Sequence, residues 1–274
     1  MAAPSGWSVI IPNCSLSCSR TERVKFREND VLKRIDKKII LFAGIALLVI
    51  TCLVFILLYF GVIHLNNPSR SEYPVRGVDV SHHQGEIDWK RLAEQDIRFA
   101  FIKATEGSKY TDECFEKNWK ESRDVGLRVG AYHFFSLDSS GKKQAKNFCS
   151  VVEGFNDMLP PVVDVEPYGK YSDPDILDKA KMLSELGEYV DIIEKKYDQR
   201  PIIYTTEEWL SVLLEEFADY DIWIRSVYGK PDASVKWTFW QFSNRHVLDG
   251  YSGTERYIDM NVFSGNEADF YDYR

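Results

Sequence analysis

The stretch Leu159-Pro-Pro-Val-Val-Asp-Val-Glu-Pro167 sets two carboxylates two residues apart. In an extended strand, residues i and i+2 share a face, so Asp164 and Glu166 point into one space while Val163 and Val165 take the other side. Two negative charges held that close cannot both ionise freely, and one pKa rises toward the range in which a carboxylic acid acts as a proton donor. General acid catalysis is the chemistry that uses such a pair. An acidic strand end kept for solubility is a poor account of carboxylates bracketed by valine and proline.

The other acids of interest stand singly. Asp79, in Arg76-Gly-Val-Asp-Val-Ser81, and Asp259, in Tyr257-Ile-Asp-Met-Asn261, sit among apolar residues, where a buried acid needs a partner or a purpose. Each reads equally as a catalytic group or as a structural hydrogen-bond acceptor. His82 and His83 are adjacent and point apart on a strand. No His-x-x-x-His or Cys-x-x-Cys spacing occurs, so no metal site is expected. A Gly-x-Ser-x-Gly nucleophile elbow and a glycine-rich phosphate loop are both missing from the sequence, and no organic cofactor is expected.

The elements that must position these residues alternate in type. β-rich runs at 76–81, 99–105, 128–136 and 161–166 are followed by helical patterns at 88–95, 113–125, 140–152 and 174–197. In the last of these, Ile176, Ala180, Leu183, Leu186, Val190 and Ile193 recur at helical spacing, with Asp173-Pro174 as the expected N-cap and first helical residue. Runs at 202–206, 221–227, 238–243 and 259–263, with a helix at 207–217, complete the set. Eight strands in βα order imply a parallel sheet, which closes most naturally into an irregular TIM-like (β/α)8 barrel of the α/β class. In such a barrel the chemistry belongs at the C-terminal ends of the strands. Those ends carry Asp79, Lys103 with Glu106, Tyr132 with His133, Asp164 with Glu166, Tyr204, Arg225, Trp240 with Gln241, and Asp259.

Charge divides the 274 residues into three parts. The net −8 is the sum of +4 over residues 1–38, zero over 39–63 and −12 over 64–274. An acidic domain argues against a nucleic acid partner, because phosphate binding needs concentrated Lys and Arg. The uncharged run from Ile39 to Ile63 is long enough to cross a bilayer as a helix. It is longer than the apolar core of a cleaved signal peptide, so a retained signal-anchor is expected. Lys33, Arg34, Lys37 and Lys38 precede it and no basic residue follows until Arg70, which places the N-terminus in the cytoplasm and the remainder outside or in a lumen. The resulting division is a basic, disordered tail (1–38), a transmembrane helix (39–63), a polar linker (64–74) and a globular domain (75–274). Cys14 and Cys18 are candidate lipidation sites, and the sequon Asn13-Cys-Ser15 falls on the wrong side for glycosylation. Cys114 and Cys149 are the cysteines of the exported part, either one disulfide or two free thiols.

Seven stretches together resemble glycoside hydrolase family 25, the N-acetylmuramidases or Chalaropsis-type lysozymes. They are Gly77-Val-Asp-Val-Ser81 with Trp89, Phe101-Ile-Lys-Ala-Thr-Glu-Gly107, Gly130-Ala-Tyr-His-Phe134, Val163-Asp-Val-Glu166, Tyr204-Thr205, Trp240-Gln241 and Asp259-Met-Asn-Val-Phe263. The resemblance implies hydrolysis of peptidoglycan glycan strands. It makes Glu166 the general acid, Asp164 its neighbouring carboxylate, and Asp79 and Asp259 the other active-site acids. Tyr132, Tyr204 and Trp240 become sugar-contacting walls or else barrel core, with Gln241 beside them. Lys103 and Glu106 either touch substrate or pair with each other. The lipid bilayer, through residues 39–63, is the other expected partner.

Overall fold

The computed structural model describes residues 19–64, 66–173 and 176–274, with side chains from residue 36 onward. Two compact units result, residues 1–60 and 61–274. In the first, one helix, α1, runs from Ser19 to Tyr59. Residues 19–38, expected to be disordered, are therefore helical; they contain no proline or glycine to stop the helix and many good helix formers. Its segment Asp36–Tyr59 contains an 18-residue window of mean hydropathy 3.2 and is long and apolar enough to cross a membrane. Cys14, Cys18 and the sequon lie outside the described residues.

The second unit is a closed barrel. Its strands are β1 (Arg76–Val80), β2 (Phe99–Glu106), β4 (Arg128–Phe134), β5 (Val162–Asp164), β6 (Ile202–Thr206), β7 (Ile222–Arg225), β8 (Phe239–His246) and β9 (Ile258–Phe263), with a two-residue β3 (Tyr110–Thr111) paired to the end of β2. From β1 through β8 every barrel neighbour is parallel. The expected all-parallel sheet is corrected at the last strand, because β9 runs antiparallel to both β8 and β1. The reason lies in the connections. Helices α2 (Trp89–Ala93), α3 (Phe115–Asp124), α4 (Gly141–Val151), α5 (Lys179–Tyr197) and α6 (Glu207–Phe217) provide crossovers as far as β7, and 13 helix-free residues, 226–238, carry the chain to a parallel β8, whereas only 11, residues 247–257, join β8 to β9. A parallel neighbour needs a crossover of a dozen or more residues, and a shorter excursion brings the chain back antiparallel. Helix α7 (Glu267–Asp272) follows β9.

Strand residues alternate between two cores. Phe99, Phe101, Val162, Ile202, Trp223, Phe239 and Phe263 fill the barrel, while Ala100, Ile102, Ala104, Val163, Ile203 and Ile224 pack outward against the helices. Both faces are buried, which explains why the strands read as nearly continuous apolar runs. The large inward rings need space opposite them. A Cβ at Gly77 would stand 2.4 Å from the Phe99 ring and one at Gly130 2.6 Å from Phe101, so each glycine makes room for a phenylalanine.

The long helix starts later than its pattern suggests. Asp178, not Asp173, caps α5, its carboxylate accepting from the Lys181 amide at 3.1 Å. Helices α4 and α5 meet at Gly141, whose amide donates to the Glu185 carboxylate at 2.7 Å. A Cβ at Gly141 would lie 1.8 Å from the Glu185 carbonyl oxygen, so the two helices must separate to admit it. Gly141→Ala is expected to destabilise the fold by about 1–3 kcal/mol, read as a lower urea midpoint at constant m. An unchanged midpoint would contradict this contact.

The linker expected at 64–74 does not stand free. Tyr73 is buried, Arg76 donates to the Asn67 side chain and the Pro68 carbonyl, and the His64 and His246 rings stack at 3.9 Å. Cys114 and Cys149 are free thiols.

Candidate active site

The C-terminal ends of the parallel strands open onto a cleft of about 760 Å³, a size suited to a small ligand or a short stretch of polymer. Its walls include Asp79, Tyr132, Glu166, Tyr204, Arg225, Gln241 and Asp259. Asp259 reaches this rim in a way the parallel scheme did not foresee. It is the second residue of β9, and because β9 is reversed, its beginning lies where the other strands end, with Asp259 opposite Asp79.

Two side-chain amides, held by a phenol and an indole, organise the acids. Asn261 donates to Asp79 Oδ2 at 2.7 Å, and Gln241 Nε2 lies 3.0 Å from Asp79 Oδ2 and 3.2 Å from Asp259 Oδ2. The Tyr204 hydroxyl donates to Gln241 Oε1 at 2.9 Å, and Trp223 Nε1 donates to Asn261 Oδ1 at 2.8 Å. Each amide oxygen is thereby occupied, so each NH2 group must face the carboxylates. Burial raises the Asp79 pKa, opposed by these donors. Burial and the Asp79 charge raise Asp259 further, and a hydrogen bond joins the two carboxyls.

Asp164 and Glu166 converge as their spacing predicts. β5 ends at Asp164, but the Val165 amide still bonds the Tyr204 carbonyl at 2.9 Å, extending the strand path to Glu166. Burial, then the neighbouring Glu166, pushes Asp164 well above the usual carboxylate range. Burial also raises Glu166, while the Arg225 guanidinium draws it down. Of the two, Glu166 lines the open cleft; Asp164 is 8% exposed, and its Oδ1 has no hydrogen-bond partner. The more strongly raised pKa thus belongs to the less accessible group. Proton delivery to a bound molecule requires contact, so geometry favours Glu166 as the donor. The orphaned Asp164 oxygen is an acceptor awaiting a donor.

Not every strand-end residue faces this space. Trp240 points the other way from Gln241, is 2% exposed, and donates its indole N–H to the Ser226 carbonyl at 2.8 Å within the outer core, so it is no sugar wall. Lys103 points inward, near enough to lower the pKa values of Asp164 and Glu166, but its ammonium pairs with Glu106 at 2.7 Å. His133 faces the helix layer between Thr105 and Gln144, and burial lowers its pKa to about 3, keeping it neutral. Among the described residues no cluster able to hold a metal ion is found.

Residues 78–251 match Glycosyl hydrolases family 25. The chain belongs to glycosyl hydrolase family 25. The solved family 25 glycosyl hydrolase from Bacillus anthracis is 44% identical and superposes with a TM-score of 0.71, covering 76% of this chain and 97% of that one. Lysozyme M1 of Streptomyces globisporus is 32% identical over 206 residues, 71% of this chain and 69% of its own length. YegX of Escherichia coli O157:H7, a protein described as uncharacterized, is 36% identical over 207 residues, 73% of each chain. The chain is thus a hydrolase of the lysozyme type, with the cleft of a family 25 enzyme. Two residues of that site, Arg225 in the cleft wall and Asn261 buried behind Asp79, were not singled out from sequence. Arg225 was visible as a strand-end residue, and an arginine behind four acids is itself a signal. Asn261 sits two residues after Asp259 on the same face of β9, the spacing that exposed the Asp164–Glu166 pair.

Proposed function

We propose that this family 25 hydrolase is a membrane-anchored lysozyme, a 1,4-β-N-acetylmuramidase. It cleaves the bond between N-acetylmuramic acid and N-acetylglucosamine in peptidoglycan by a substrate-assisted route. The observation that carries the mechanism is the unpartnered Oδ1 of buried Asp164 beside a cleft-lining Glu166. Both bonded sugars carry an acetamido group, whose N–H supplies the donor that Asp164 lacks.

Glu166, protonated, gives its proton to the glycosidic oxygen as the C1–O bond breaks. The acetamido carbonyl oxygen of the same sugar attacks C1, and Asp164 accepts the acetamido N–H and offsets the positive charge of the resulting oxazolinium ring. Water then attacks C1, returning a proton to Glu166 and releasing the sugar with its original configuration. Asp79, Asp259, Gln241 and Asn261 form a braced floor, and Tyr132 and Tyr204 flank the sugar.

The apolar segment Asp36–Tyr59 supports the anchor, and Lys33, Arg34, Lys37 and Lys38 ahead of it support a cytoplasmic N-terminus with the barrel on the far side. The test is incubation of the full-length chain, in detergent micelles, with purified peptidoglycan, followed by mass and NMR analysis of new reducing ends. N-acetylmuramic acid at the reducing end, first formed as the β anomer, is expected. Reducing N-acetylglucosamine would reject the bond assignment, and a first-formed α anomer would reject substrate assistance. Binding with no new ends would make the barrel a glycan-binding module.

A further inference from the structure

Asn66 lies ten residues before β1 in sequence, yet its side chain reaches β7 and β8. The half-buried NH2 group of Asn66 is 3.0 Å from the Ser226 carbonyl oxygen, 3.1 Å from that of Gly229 and 3.1 Å from that of Phe242. Two hydrogens serve three acceptors, so one is shared. The positions of two of those acceptors are informative. Ser226 follows Arg225 at the end of β7, and Phe242 follows Gln241 on β8. Arg225 is the cation facing the acids, and Gln241 is the amide bridging Asp79 and Asp259.

The same corner is braced from within. Ser226 donates its amide to the Gln241 carbonyl at 3.1 Å, its hydroxyl donates to the Gly229 carbonyl at 2.9 Å, and its carbonyl also accepts from Trp240. The segment bearing Asn66 is itself held, by buried Tyr73 and by the Glu72–Lys230 ion pair at 2.8 Å. We propose that Asn66 is a positioning residue of the active site, which ties the end of β7 to the middle of β8 and so fixes Arg225 and Gln241 against the catalytic carboxylates. A primary amide suits this position, since an aspartate would turn lone pairs toward three carbonyl oxygens and an alanine would leave all three to water.

The inference rests on the reading of Glu166 as the acid that Arg225 faces, and it makes Asn66 act at a distance through Arg225. Glu166 is faced by Asp79 from β1, Lys103 from β2, Asp164 from β5, Tyr204 from β6, Arg225 from β7 and Asp259 from β9. Of these, Arg225 is the group whose backbone Asn66 holds next door.

The decisive measurement compares the wild-type full-length chain with Asn66→Ala, Arg225→Ala and the double variant in detergent micelles. On peptidoglycan, Asn66→Ala is expected to lower kcat roughly tenfold with little change in KM, the scale on which small misplacements act. The Glu166 carboxyl, followed by carbon NMR, should titrate at higher pH in Asn66→Ala than in the wild type. In the Arg225→Ala background, Asn66→Ala should add neither a further kcat loss nor a further shift. A Glu166 titration unmoved by Asn66→Ala, whatever happens to thermal stability, would overturn the inference. The titration needs no substrate, so it decides the matter even if the wild-type chain leaves peptidoglycan uncut, a result that would instead remove the proposed function.

Discussion

Glu166→Gln is expected to lower kcat on peptidoglycan by about 10³-fold, within the range for loss of a general acid, while the folded state is at least as stable as before. Gln keeps the shape and hydrogen-bonding length of Glu but has no proton to give a leaving oxygen. The stability side follows from the raised pKa. Burial penalises the charged form of Glu166, so the fold is favoured while that carboxyl is neutral, and this advantage is lost as pH rises through its folded-state pKa. At neutral pH the uncharged Gln escapes that penalty. In the wild type the same pKa governs the alkaline side of the activity profile: cleavage falls as pH rises and Glu166 ionises, at a pH above the ordinary glutamate value. Chemical denaturation and reducing-end release measured on one preparation separate the two effects. Wild-type activity in Glu166→Gln would take the acid role away from this residue, and lost activity with lost folding would leave the role unsupported.

Asp164→Asn is expected to cost about 10²- to 10³-fold in kcat, the scale of removing one preorganised electrostatic group. The amide is close in volume to the carboxyl, so the buried site stays filled. It cannot become an anion, however, and an oxazolinium ring forming beside it would find no opposing charge. The interaction matters only once C1 carries positive character, so KM should change little while kcat and kcat/KM fall together. A variant with raised KM and intact kcat would recast Asp164 as a ground-state binding group. In the apo state burial and the nearby Glu166 push the Asp164 pKa well above the usual carboxylate range. An acetamido N–H directed at Oδ1 favours its ionised form, so substrate arrival itself prepares the charge that the next step needs.

Much of this site was legible in the sequence because strands have a period of two. The alternation that sends Phe99 and Phe101 inward also sends Lys103 inward, and it puts Gly77 and Asp79, Gly130 and Tyr132, and Asp164 and Glu166 on common faces. The same rule separates Trp240 from Gln241, since neighbours on a strand face apart; an aromatic at a strand end is not thereby in the cleft. The direction of β9 was less accessible. Strand propensity reports that 258–263 is extended, but orientation depends on the connection, and only the shortness of 247–257 hinted at it. The start of α5 was misplaced because both Asp173 and Asp178 are plausible caps and local sequence does not choose between them. Residues 64–74 looked like a linker because they are polar. The partners of Asn66 lie 160 to 176 residues away, a separation at which short-range patterns carry no information.

The reversed final strand has a consequence for the life of the molecule before it is finished. β1 closes the barrel by pairing with β9, joining Asp79 to Asp259 across 180 positions of chain, and Asn261 must arrive with it to donate to Asp79. Contacts of such long sequence separation form late, after the intervening chain has been ordered. Until the ribosome has passed residue 261, the nascent protein has neither a closed barrel nor a braced carboxylate pair. An enzyme proposed to cut peptidoglycan is therefore inert until the last strand of its barrel has been made.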